Sequence, residues 1–181
     1  MFELIQTYFA QAPELGWNAF WISQGLIGIA FVFALISFQF KKREHILLSF
    51  IGCLFFIGLH FYILDLQTAA WLFWLGMARY IVALFSISKL WVYFFSLLTI
   101  GVFIWTFEEP LEWLVLIGNL IFVYAGFQKN DKTLRELNFV AGVVYLCYMV
   151  TIGSPAMIIL ESFFLISNIV GYYRFYLKPK V

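Results

Sequence analysis

Apolar residues fill seven long stretches of the chain, and short polar segments separate them. A stretch of about 20 apolar residues is long enough to cross a bilayer as an α-helix. The pattern therefore predicts seven transmembrane helices, at residues 17–40, 46–64, 68–88, 90–107, 111–128, 137–153 and 155–177. Because the connections between them leave no room for a soluble domain, we expect one all-α membrane domain over residues 17–181.

The first 16 residues precede the predicted helices. They contain no Lys or Arg ahead of an apolar core, whereas a signal peptide begins with positive charge. Phe2, Ile5 and Phe9 recur at helical spacing. This pattern predicts a short helix that lies on the membrane surface, so we expect residues 1–16 to form an interfacial segment.

The composition supports a membrane location. Apolar residues make up 64% of the chain, aromatic residues 22% and charged residues only 12%, which no soluble domain of this size could bury. The lipid bilayer is therefore the first expected partner. Nucleic acid is not expected, because the net charge is only +1 and no basic patch carries interleaved aromatic residues. Cys53 and Cys147 both fall inside apolar stretches and are expected to be buried thiols.

Basic residues mark one side of the predicted membrane domain. Lys and Arg accumulate on the cytoplasmic side of multi-pass membrane proteins. An external N-terminus places ten of them on that side, namely Lys41, Lys42, Arg43, Lys89, Lys129, Lys132, Arg135, Arg174, Lys178 and Lys180. The sequence therefore predicts an N-terminus outside and a C-terminus in the cytoplasm.

A weak internal repeat has a period of about 90 residues. Leu26-Ile27-Gly28 recurs as Leu116-Ile117-Gly118, and Phe38-Gln39 recurs as Phe127-Gln128. Two three-helix units joined directly would have opposite orientations, and one extra helix between them gives both the same orientation. We therefore predict a 3+1+3 arrangement of parallel repeats, with repeat one at 17–88, a linker helix at 90–107 and repeat two at 111–177.

Two charged residues interrupt the apolar stretches, Arg79 in the third predicted helix and Glu161 in the seventh. Each would cost roughly 2.5–3.5 kcal/mol at the bilayer centre, so both are expected to face the protein interior. Other polar residues inside predicted helices complete a candidate set between the two repeats. The set is Gln24, His60, Arg79, Asn119, Glu161 and Asn168.

Two functions remain open for this set. A bidentate pair between Arg79 and Glu161 would account for both charges without a ligand, as in a noncatalytic scaffold or receptor-like protein. Alternatively, Arg79 binds a small anionic or carbonyl-bearing solute while Glu161 and His60 exchange a proton, as in a transporter or permease. Asn119 and Asn168 fit either case, because amides also hold membrane helices together.

Catalysis, cofactors and metals have no support in the sequence. It contains no Gly-rich phosphate loop, no nucleophile elbow and no zinc-binding His pair. The second histidine, His45, belongs to the predicted cytoplasmic face, opposite His60. We therefore expect no enzyme activity, no cofactor and no metal site, and the sequence does not indicate an oligomeric state.

Several short segments resemble the YgjV-type family of bacterial inner-membrane proteins. They are Ser23-Gln24-Gly25, Gly58-Leu59-His60-Phe61, Ala78-Arg79, and Glu161-Ser162-Phe163-Phe164-Leu165 followed by Asn168 and Arg174-Phe175. The resemblance runs from about Trp21 to Tyr176 and implies a location in the bacterial inner membrane. That family is distantly similar to the PQ-loop and SWEET-like transporter superfamily, which implies a 3+1+3 fold with a central solute site.

This second resemblance leaves function open, because the superfamily includes transporters and also a sorting receptor. Its transporters typically carry a proline hinge in the first helix of each repeat, whereas predicted helices 1 and 5 contain none. Glycines in these helices offer flexibility or close packing instead. They are Gly25, Gly28, Gly118 and Gly126.

Overall fold

A computed structural model describes residues 16–37, 43–128 and 130–177, and these are helical nearly throughout and contain no strand. Seven α-helices run through this part of the chain: α1 (Trp17–Ser37), α2 (Arg43–Ile63), α3 (Gln67–Phe85), α4 (Lys89–Thr106), α5 (Trp113–Gly126), α6 (Asp131–Thr151) and α7 (Pro155–Tyr172). A 3₁₀ turn, Pro110–Glu112, precedes α5, and a π-helical turn, Tyr173–Leu177, follows α7. The prediction of an all-α protein is confirmed.

Some predicted features lie outside the described residues. They are residues 1–15 of the interfacial segment, the Phe38-Gln39 half of the repeat match, and the basic residues Lys41, Lys42, Lys129, Lys178 and Lys180.

Four helices of the described chain are long and apolar enough to cross a membrane, at Trp17–Ile36, Gln67–Phe85, Lys89–Thr106 and Lys132–Thr151. Three further apolar helices are shorter, at Leu47–Ile63, Pro110–Gly126 and Ala156–Tyr172. A 17-residue helix extends about 26 Å, slightly less than the hydrocarbon core of about 30 Å. A multi-pass membrane protein is thus supported, and the prediction of seven crossings stays a prediction.

The start of α6 corrects one predicted boundary. Residues 129–136 were expected to form a polar loop before a helix at 137, but α6 begins at Asp131. The Asn130 side chain accepts a hydrogen bond from the backbone N–H of Lys132 at 2.9 Å, which caps the helix start. Lys132 and Glu136 then form an exposed pair at 3.9 Å, one turn apart. Hydropathy therefore locates the apolar part of α6 and misses its polar first turns.

Six of the helices form a closed ring. α2 packs between α1 and α3, and α6 packs between α5 and α7. The contacts of α3 with α5 and of α1 with α7 close the ring. α4 packs against α3 and α5 and leaves its other face open, where Leu90, Leu97 and Ile104 are 71–72% exposed. Such side chains suit contact with lipid tails.

Two apolar clusters fill the described interior. The larger one draws residues from α1, α2, α3, α5, α6 and α7, including Leu72 and Tyr145. The smaller one, which contains Ala83 and Phe127, gathers where α2 and α4 begin and α3 and α5 end. Both clusters use the buried face of α3, and Arg79 lies on that same face between Leu72 and Ala83. The fold therefore places a cation between two apolar clusters.

Candidate functional site

Arg79 is buried with only 3% of its surface exposed. Its Nε and Nη1 atoms are buried and have no hydrogen-bond partner. Within the described residues, the only ion pair closer than 4.0 Å joins Lys132 and Glu136. The pair between Arg79 and Glu161 that the scaffold hypothesis requires is therefore not formed. A buried charge without a partner costs several kcal/mol, and among the described residues Arg79 has the most buried atoms without a hydrogen bond.

The immediate surroundings of Arg79 favour a cation but leave its N–H groups free. The guanidinium carbon lies 4.8 Å from the centre of the Tyr80 ring, a cation–π distance. A Cβ atom added at Gly126 would lie 3.5 Å from Arg79 Nε, so the last residue of α5 faces the guanidinium. A helix C-terminus carries partial negative charge. This charge stabilises the cation in part and does not occupy its hydrogen-bonding positions.

Tyr145 lies within electrostatic range of both Arg79 and Glu161. Its ring is only 2% exposed, and its hydroxyl accepts a hydrogen bond from the Asn119 amide. The Asn119 amide also donates to the carbonyl of Val115 at 3.4 Å. Asn119 thus holds α5 to α6 and fixes the Tyr145 phenol. Tyr145 is inconspicuous in the sequence, because a tyrosine inside an apolar helix resembles an ordinary aromatic core residue.

Glu161 faces α6 from α7. A Cβ atom added at Gly142 would lie 2.8 Å from Glu161 Oε1. The backbone of α6 therefore comes close to the Glu161 carboxylate at a residue that has no side chain. In the described part of the chain no hydrogen bond or ion pair satisfies the Glu161 carboxylate, and the residue is half-buried. Glu161 is therefore a second ionisable group of the bundle without a partner among the described residues.

Aromatic rings connect the neighbourhoods of the two charges. Phe50 in α2 stacks on Tyr80 with 5.8 Å between ring centres. It also lies 6.0 Å from Phe164, which follows Glu161 by about one turn of α7. Arg79 and Glu161 therefore border the same aromatic region.

His60 and Gln24 form a separate polar group between α1 and α2. His60 is fully buried, and its Nδ1 donates to the carbonyl of Ser23 at 3.0 Å, since a carbonyl only accepts. His60 Nε2 has no partner. Gln24 donates to the Ser23 hydroxyl at 3.3 Å. Along the bundle axis His60 lies roughly 13 Å and Gln24 roughly 8 Å from Arg79, so this group is separate from the guanidinium.

Asn168 has a packing role in the structure. Its amide donates to the backbone carbonyl of Arg135 at 2.7 Å, which ties α7 to α6. A Cβ atom added at Gly171 would lie 2.6 Å from Arg135 Nη1, so the same stretch of α7 is closely packed. The Asn168 amide thus joins two neighbouring helices, and its place in the central site stays a prediction.

A family model of bacterial inner membrane proteins, Imp-YgjV, matches residues 21–179. The chain belongs to this family. The inner membrane protein YgjV of Escherichia coli strain K12 is 29% identical over 170 residues, which cover 90% of this chain and 89% of the relative. No solved structure matches the chain significantly.

Family membership confirms the resemblance to the YgjV-type proteins and the location in a bacterial inner membrane. The matched segment contains all six predicted site residues. The similarity to SWEET-like transporters stays a prediction.

Proposed function

We propose that the protein is a noncatalytic small-solute transporter or permease in which Arg79 binds an anionic or carbonyl oxygen of the solute. The observation that carries the proposal is the buried guanidinium with two unpartnered nitrogens. Arginine presents its N–H groups in a planar fork that matches carboxylate and phosphate oxygens. A solute that fills these positions would offset the cost of burying the charge.

The helix contacts support two equivalent halves. If α1, α2 and α3 correspond to α5, α6 and α7, the contact of α3 with α5 corresponds to the contact of α7 with α1. Both closures of the ring then have the same construction, with α4 as the linker of the predicted 3+1+3 arrangement. Solute sites of repeat-built transporters lie near the interface between the repeats. Arg79 faces Gly126 at one of these two closures.

The correspondence also distinguishes Arg79 from Asn168. A shift of about 90 residues superimposes the two positions, on α3 and α7. Asn168 bonds to a backbone carbonyl of the preceding helix, whereas two nitrogens of Arg79 bond to nothing in the described chain. The Arg79 side chain, in the first of the two three-helix units, is therefore free to bind a ligand.

Proton coupling, if the transporter uses it, rests on Glu161 in this proposal. Its carboxylate is unpaired within the described residues and lies within range of Tyr145, as Arg79 does. Counted from the outer ends of α2 and α7, His60 and Glu161 differ in depth by only about 5 Å, so the proposal keeps His60 as a second group that exchanges the proton.

We propose the orientation with the N-terminus outside and the C-terminus in the cytoplasm, which places Arg135 at the cytoplasmic rim. A green fluorescent protein fused to the C-terminus of the full chain is expected to fluoresce, because that protein folds in the cytoplasm. Alkaline phosphatase at the same position is expected to be inactive. Active phosphatase with a dark fluorescent fusion would reverse the orientation.

The transport proposal is tested without knowing the solute by asking whether position 79 is reachable from water. Arg79→Cys is introduced into the chain with Cys53→Ser and Cys147→Ser, and membranes are treated with a negatively charged methanethiosulfonate reagent. We expect the cysteine at position 79 to be modified rapidly, because a solute pathway must admit water and anions to this point.

The matched controls are Leu72→Cys and Ala83→Cys. Both positions lie on the same face of α3 and are fully buried in the apolar clusters. They are expected to stay unmodified in folded protein. Equal protection of all three cysteines would mean a dry interior and would support the scaffold function over transport.

A further inference from the structure

The interior holds two opposite charges that do not compensate each other. Arg79 has two buried nitrogens without partners, and Glu161 has no ion pair within the described residues. An arginine and a carboxylate in one bundle would ordinarily gain from a direct bidentate bond. The helices instead hold them apart, with the anchored Tyr145 phenol in electrostatic range of both.

A series of ring contacts runs from the ring beside Arg79 to a ring one turn from Glu161. Phe50 contacts Tyr80, which neighbours Arg79, and Phe164, which lies one turn from Glu161. The Tyr145 phenol is fixed to Asn119 and the Val115 carbonyl. A ligand that enters between the charges therefore meets one donor-rich end, one acceptor end and aromatic faces between them.

We propose that the solute is a small zwitterion of the amino-acid type, with its carboxylate on Arg79 and its ammonium group on Glu161. This inference rests on the proposed function and specifies its solute class. A simple anion would satisfy Arg79 and leave the half-buried Glu161 carboxylate without a partner among the described residues. A zwitterion supplies both counter-charges and leaves the net charge of the interior unchanged.

The chemistry of each end fits its partner. The guanidinium fork binds the two oxygens of a carboxylate in one plane. An ammonium group has three donors and no acceptor, so it matches a carboxylate that only accepts. Aromatic rings beside Glu161 attract a cation through their faces and also accommodate an apolar side group. The site thus selects a solute with a negative group at one end and a positive group at the other.

The experiment compares three compounds on one carbon skeleton. L-leucine carries both charges, 4-methylpentanoate lacks the ammonium group and 3-methylbutylamine lacks the carboxylate, and matching series are built on alanine and phenylalanine. Binding to the purified full-length protein is measured by calorimetry and by the shift of the unfolding temperature. We expect at least one zwitterion to bind roughly 30-fold or more tightly than either fragment, because a buried charge pair is lost with each group.

Variants then test which charged group of the solute binds at Arg79 and which binds at Glu161. Glu161→Gln is expected to abolish the advantage of the zwitterion over the acid, while Arg79→Gln weakens binding of both. The control Glu136→Gln removes a carboxylate that bonds to Tyr172 at the surface, and it is expected to keep the wild-type preference.

Two failures are distinguishable. If an acid without an amino group binds as tightly as its zwitterion and depends on Arg79, the zwitterion inference is wrong and the proposed function stands. If binding of every compound is absent or independent of Arg79, while position 79 is closed to the charged thiol reagent, both proposals are wrong. An unchanged zwitterion preference in Glu161→Gln also overturns the inference.

Discussion

Replacement of Arg79 by methionine is expected to stabilise the protein against unfolding and to abolish solute binding. The guanidinium is 3% exposed, and two of its nitrogens have no partner to lose. An arginine at the centre of a membrane helix costs roughly 2.5–3.5 kcal/mol on insertion scales, and methionine of similar length removes this cost. We expect the free energy of unfolding to rise by about 2 kcal/mol.

The measurement is thermal and denaturant unfolding of purified protein in detergent, together with binding of the tightest ligand of the wild type. Lys132→Met is the control, because Lys132 is a half-exposed charge whose removal should change stability by no more than about 0.5 kcal/mol. A clear loss of stability in Arg79→Met would show that the guanidinium holds the fold together. A stability gain with lost binding is what a functional, strained residue predicts.

Gly118→Val is expected to cause a large loss of stability. A Cβ atom at this position would lie 2.5 Å from Cε2 of Tyr145, closer than atoms can approach. The Tyr145 ring cannot move aside without breaking its bond to Asn119, since ring and amide are both buried. Overpacking together with a lost buried hydrogen bond is expected to lower the free energy of unfolding by about 3 kcal/mol or more.

Gly101→Val provides the matched control for this substitution. A Cβ atom at Gly101 in α4 would have no atom of another group within 4 Å. Its effect on the unfolding temperature should therefore be small. The double substitution Gly118→Val with Tyr145→Ala should recover part of the lost stability, because the smaller side chain vacates the overlapping volume. Equal stability of the Gly118→Val and Gly101→Val proteins would contradict the close packing of α5 on α6.

The sequence predicted the helical class well because hydropathy reports directly on burial in lipid. It placed α6 too late, since a cap such as Asn130 extends a helix beyond its apolar part. The same limitation applies to the start of α2, which begins at Arg43 and not at residue 46. Composition along the chain indicates where lipid begins, whereas hydrogen bonds determine where a helix begins.

The candidate site was predicted only in part. The position of a residue along a predicted helix gives its depth in the membrane and does not give the partner toward which its side chain points. Arg79 was selected correctly as a buried charge, since any charge in an apolar helix is conspicuous. The partner of Asn168 is a backbone carbonyl of α6, and such a bond leaves no mark in the sequence. Tyr145 was missed because its role depends on an amide 26 residues away in the chain.

The contact of α1 with α7 has a consequence for biogenesis. The first and last helices of the described chain are neighbours in the closed ring. During synthesis α1 enters the bilayer long before α7 is made. Until then, the side of α1 that will contact α7 faces lipid or the insertion machinery. Contacts between distant segments form late and slow the folding of a chain. The contact between α1 and α7 therefore forms only when the final helix has been inserted, and truncated or stalled chains would leave an open half-ring.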